Sequence, residues 1–209
     1  MSRKELLGTL WLLLISVVLA IPVVLWGNGL HWELGRVTLY AFFPLLGLLA
    51  FSLMWLQISA LTLKSFVTQE DLATDTFLKK SGIFVLLLII FHPVLLGVAM
   101  AQVGAGLPLQ SLYQYVPPKQ TIFITYALIA WSIFIMSEIT SRLQKVSWIK
   151  RGGKVIEYLN YAGFFLIFWH SIHIGSNLQS GFARGLWWVY AVTALVGLVL
   201  VGVRGRSTT

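Results

Sequence analysis

The chain contains no cysteine, which excludes disulfides, thiolate-ligated haem, cysteine-held iron–sulfur clusters and covalent C-x-x-C-H haem attachment. Noncovalent cofactors with nitrogen or oxygen ligands stay open. Charge is scarce too: 11% of the 209 residues are Asp, Glu, Lys or Arg, and only 7 are acidic. Those carboxylates fall mostly in loops or at the ends of apolar runs, and no Ser or Thr has a nucleophile motif around it, so no hydrolase constellation forms. Phosphate-binding loops are missing as well. Gly153-Lys154 is not a P-loop, because Trp148 stands where the first glycine belongs and Val155 where the Ser/Thr belongs. There is no G-x-G-x-x-G segment, internal repeat, low-complexity tract or domain boundary, and a single domain over 1–209 is expected.

What the chain has in abundance is apolar surface: 58% of residues are hydrophobic and the mean hydropathy is +0.85. Six runs stand out, Leu6 to Trp26, Val37 to Ala60, Gly82 to Val103, Thr121 to Glu138, Val155 to Gly175 and Leu186 to Val203. Each is about a bilayer long as a helix. They lack period-two alternation, so an all-α integral membrane bundle of six transmembrane helices is expected rather than a barrel. Twelve of the fifteen Lys and Arg residues fall on one side of that arrangement, and only Arg36, Lys119 and Arg184 on the other. By the positive-inside rule this places both termini of a multi-pass protein in the cytoplasm, and a bacterial inner membrane is the expected location under the leading reading developed below. The same asymmetry accounts for the net charge of +8 through anionic headgroups, without a nucleic-acid partner. Trp26, Trp32, Tyr113, Tyr115, Trp148, Trp187 and Trp188 read as interfacial aromatic belts. Pro22, Pro44 and Pro93 lie within the runs and should loosen them locally.

Histidines carry the chemistry, because an ionisable side chain deep in hydrocarbon persists only with a partner or a function. His92 lies about 18 Å along its helix from Lys80, and His170 about 24 Å from Lys154, so the two imidazoles reach similar depths. Two imidazoles from facing helices suit the axial positions of a haem iron. Such a six-coordinate centre has no vacant site and serves electron transfer. Zinc fits less well, since no carboxylate lies at that depth to complete a closed site. The bland alternative is interhelical hydrogen bonding by each histidine. His173, one turn beyond His170, is a candidate propionate contact or an alternative ligand, or else a wet interfacial residue. His31 reads as solvated. Gly163, on the face of His170, would admit either a flat macrocycle or a neighbouring helix. Met54, Met100 and Met136 read as packing residues. Small-solute transport is disfavoured because, apart from these histidines, no polar pathway is evident near the midplane.

The third run with its lead-in, FLKKSGIFVLLLIIFHPVLLG, and the fifth, VIEYLNYAGFFLIFWHSIHIG, resemble the ferric reductase-like transmembrane domain family. The second, LGRVTLYAFFPLLGLLAFSLMWLQI, is similar to that family's early Gly-Arg helix, so the resemblance spans about residues 34 to 190. The family includes iron reductases, NADPH oxidases and the haem-bearing membrane subunit of the periplasmic methionine sulfoxide reductase system. It implies six helices with bis-histidine b haems between the third and fifth. Where the two-haem pattern has inner histidines, this chain has Leu78 and Glu157. The resemblance therefore implies one noncovalent haem b, ligated by His92 and His170, with the cytoplasmic-side haem absent. Glu157 becomes a candidate for docking a quinone or a partner protein. No flavin or nicotinamide domain follows the sixth run, so the expected role is an electron-transfer subunit fed by a quinol or flavoprotein and serving an outer-side acceptor. A structural or assembly subunit of the same fold without haem is the alternative.

Overall fold

A computed structural model describes residues 3–33, 35, 38–64, 74–106, 112–114, 116–142 and 153–206. Six long helices form among them: α1 (Arg3–Gly29), α2 (Phe42–Lys64), α3 (Thr74–Gln102), α4 (Thr121–Arg142), α5 (Gly153–Ile174) and α6 (Gly181–Arg206). No strand occurs among the described residues. Uninterrupted apolar sequence leaves no water to satisfy the backbone, so helix is the state that closes every interior N–H and C=O within its own segment.

Five of the six are long and apolar enough to cross a membrane. The expected span at α5 has the length, at 22 residues, but not the apolarity, because Glu157, Asn160, His170 and His173 interrupt it. Helix boundaries also differ from expectation. A short 3-10 turn, Leu39–Ala41, delays α2 to Phe42, while α3 starts at Thr74, well before Gly82. Pro44 accordingly sits in the first turn of α2, where a missing N–H costs nothing, and does not loosen the span. Pro22 and Pro93 do lie inside helices, α1 and α3.

Helix α2 is the hub, packing on α1, α3, α5 and α6. Lipid tails are as apolar as leucine, so these contacts depend on close fit rather than on escape from water. Small residues supply that fit at two crossings. A Cβ at Gly197 would meet Thr62 Oγ1 of α2, and one at Gly163 would come within 3.0 Å of Phe134 Cζ of α4. Gly163 thus serves helix packing, the second of its two candidate roles. Stacked rings knit three helices together: Phe51 lies 4.7 Å from Phe164 and 5.1 Å from Trp187, and Trp55 lies 4.3 Å from Tyr190. Trp55 Nε1 also donates to Thr193 Oγ1 at 2.8 Å. The outward faces stay apolar, with Leu12, Phe84, Phe91, Val192 and Val199 exposed. Such an area of exposed hydrocarbon fits a lipid environment and not water.

The aromatic belt holds only in part. Trp32 and Trp188 are exposed as expected, but Trp187 is fully buried. Trp26 is buried as well, donating to the Ala41 carbonyl at 2.6 Å and stacking on Phe42. Tyr115, Trp148 and the Glu157 side chain lie outside what is described. Arg184, one of the three basic residues on the less basic side, has a local purpose. Its Nη1 donates to the carbonyl of Ile172 in the last turn of α5 and to those of Leu178 and Gln179 just beyond it, at 3.2–3.3 Å, tying the end of α5 to the turn that follows.

Candidate functional site

Helices α2 and α3 pack closely along their length, and so do α4 and α5. Each pair carries one histidine docked in the same way. His92 of α3 has its Nδ1 2.6 Å from the carbonyl oxygen of Phe43, in the first turn of α2. His170 of α5 has its Nδ1 3.0 Å from the carbonyl oxygen of Phe123, in the first turn of α4. The sequence separations match nearly, at 49 and 47 residues. A carbonyl oxygen only accepts, so Nδ1 carries the proton in both rings. Each Nε2 is then left with an unprotonated lone pair, the form in which imidazole binds a metal.

Both rings line one cavity of about 160 Å³ among α2, α3, α4, α5 and the start of α6. The sequence argument placed them at similar depth on two helices; the structure puts them in one space. Apart from the imidazoles the wall is almost wholly apolar, with Leu48, Leu96, Ile124 and Ile167 among its members. Gly47 of α2 is the cradle for His92. A Cβ there would stand 2.8 Å from Cε1 and 3.1 Å from Nδ1 of the ring, so only glycine lets the imidazole rest against α2 and reach the Phe43 carbonyl.

His173 is not brought to this cavity. Its Nδ1 bonds the Trp169 carbonyl of its own helix at 2.9 Å, and its ring stacks on Phe123 at 4.0 Å. That leaves His170 as the α5 residue facing His92. Buried Trp187 contributes to the wall, and its indole Nε1 has no hydrogen-bond partner. Met54 lines the cavity too.

No family model, curated protein or solved structure matches this chain. The chemistry of the site therefore rests on its own geometry. Two nitrogen donors with fixed tautomers, second-layer carbonyls behind them and an apolar enclosure make a donor set suited to the axial positions of a noncovalent macrocycle. Among the described residues no group of three His, Asp or Glu side chains converges to bind a bare metal ion.

Sequence reading found the two histidines and missed their support. Gly47, Trp187 and the two phenylalanine carbonyls come to the histidines and their cavity only through contacts between helices. A second polar group was also missed. Gln57 of α2, Ser137 and Glu138 of α4 and Asn160 of α5 surround a separate cavity of about 120 Å³. These polar groups gather toward the start of α3 and the end of α4, away from the midplane where the sequence reading looked for a polar pathway.

Proposed function

We propose that the chain is a membrane b-type cytochrome subunit, a single-haem variant of the ferric reductase-like transmembrane fold. His92 and His170 are its axial ligands. The observation that carries this reading is the paired docking of the imidazoles: each Nδ1–H is committed to a backbone carbonyl, and both rings line one apolar cavity. A bound haem supplies one-electron redox chemistry with no open coordination position. The protein's part is to hold the two imidazoles, fix their tautomers and keep water from the iron through the apolar wall.

In this reading α5 is the sixth span, both termini are cytoplasmic, and the protein resides in a bacterial inner membrane, in keeping with the distribution of its basic residues. Two of the polar side chains that interrupt α5, Asn160 and His170, line cavities within the bundle, which is in keeping with an inward-facing, ligand-bearing span. Electrons enter from a quinol or a flavoprotein and leave to an outer-side acceptor. The histidine pair belongs to the outer half.

A second reading has support from the same bonds. Each histidine already makes an interhelical hydrogen bond, which suffices for a structural or assembly subunit without haem. Purification from haem-replete cells separates the two. The cytochrome reading expects one haem per chain and a sharp reduced-minus-oxidised α band, lost in both His92→Ala and His170→Ala. A colourless protein overturns it.

A further inference from the structure

The second cavity lies among α2, α3, α4 and α5, on the side of the histidine cavity facing the start of α3 and the end of α4. The two cavities share Met54, Ile89 and Phe134 in their walls, so one layer of side chains separates them. Its character is different. One part of the wall is polar, with Gln57, Ser137, Glu138 and Asn160, and the rest is apolar, including Ile58 and Phe164. Gly82 of α3 lies beside the polar part: a Cβ there would make ordinary contact, 3.7 Å from Glu138 Oε2 and 3.9 Å from Gln57 Nε2.

The hydrogen-bonding ledger identifies what is missing. Gln57 Nε2 already donates to Ser81 Oγ at 3.0 Å. Asn160 Oδ1 is buried and has no partner, and a buried acceptor left unpaired is costly. A ligand for this wall must therefore donate O–H or N–H bonds while presenting an apolar body to the remainder. Among the described residues no Lys, Arg or His side chain lines the cavity, which disfavours phosphates, nucleotides and carboxylates.

We propose that this cavity binds the headgroup of a lipid-soluble hydroquinone, one hydroxyl donating to Asn160 Oδ1 and the ring lying against Ile58 and Phe164. The assignment rests on the cytochrome reading for its role and selects a quinol, over a flavoprotein, as the source of electrons. Oxidation of one hydroquinone breaks two O–H bonds, leaves a quinone, and releases two electrons and two protons. The two electrons would leave one at a time to the haem that His92 and His170 would hold, and from there to the outer-side acceptor. Both protons leave to the aqueous phase beyond the end of α4, one of them by way of the Glu138 carboxylate that lines the cavity.

The test uses the purified full chain and decylubiquinol, with binding followed by quenching of tryptophan fluorescence under argon. Wild type is expected to bind saturably, and Asn160→Leu to bind at least tenfold more weakly while keeping its haem α band. A photoreactive azidoquinone added to wild type, which needs no variant to fold, is expected to label peptides containing Gln57 or Asn160. Absence of binding by wild type, unchanged affinity in Asn160→Leu, or labelling confined to other helices would overturn the assignment. Failure here is separable from failure of the cytochrome reading. A haem-loaded protein that ignores decylubiquinol sinks only the quinol site, whereas a colourless protein that binds it saturably sinks only the haem.

Discussion

Replacing Gly47 by alanine adds one methyl group at the point where His92 rests on α2. The new Cβ would stand 2.8 Å from Cε1, 3.1 Å from Nδ1 and 3.4 Å from Nε2, where ordinary contact begins at 3.4 Å. The ring must retreat by several tenths of an ångström, and the retreat carries Nδ1 away from the Phe43 carbonyl it meets at 2.6 Å. Loss of that bond costs about 0.5–1.5 kcal/mol. Its consequence for the ligand is larger than for the fold, because the bond fixes both the tautomer and the aim of Nε2. Removing the partner behind a metal-ligating histidine typically lowers affinity about 10- to 100-fold. Haemin titration of the apo-protein, followed at the Soret maximum, should show a loss of that size in Gly47→Ala. Gly185→Ala is the control, since a Cβ there meets nothing within 4 Å. Wild-type haemin affinity in Gly47→Ala would refute the argument that this glycine exists to seat the imidazole.

Other variants probe the rest of the arrangement. His173→Ala should retain haem and its α band, because the ring stacks on Phe123 outside the cavity; loss of haem in that variant would reverse the assignment of the α5 ligand. Gly163→Leu should overpack the α4–α5 contact, where Phe134 is already 3.0 Å from an ideal Cβ. A loss of about 1–3 kcal/mol is expected in apo and haem-loaded protein alike, read from denaturation in detergent. Arg184→Met removes the Nη1 donor shared by the carbonyl of Ile172, at the end of α5, and those of Leu178 and Gln179 just beyond it. It should cost about 1–2 kcal/mol, seen as a lower Tm. Because the chain has no cysteine, single Cys substitutions map topology without background. Lys64→Cys and Lys80→Cys should be labelled from the cytoplasmic side, and Lys119→Cys from the opposite side.

Much of the architecture was legible because hydropathy reports depth. Six apolar runs became six helices, and two histidines counted from flanking lysines proved to share one cavity. Direction around each helix axis is another matter. In uniformly apolar helices no stripe marks the inner face, so Trp187 read as a belt residue although it is a wall of the cavity. Gln57, Glu138 and Asn160 went unnoticed as a group for the same reason: they lie on three helices, and only packing brings them together. Gly47 carries no signal of its own, since its role is the absence of a side chain opposite His92. Helix ends were set by local features hydropathy does not see, such as the 3-10 turn before Phe42 and the polar turns that carry α3 back to Thr74.

The central claim is that two imidazoles, and no other side chain, hold the iron. Met54 also lines the cavity, and histidine–methionine ligation is the common alternative for a low-spin haem protein. Near-infrared magnetic circular dichroism of the oxidised protein distinguishes these ligand pairs directly. A bis-imidazole charge-transfer band, unchanged in Met54→Leu and abolished in both His92→Ala and His170→Ala, is the predicted result. A histidine–methionine band, or a high-spin spectrum in the wild-type protein, would contradict it.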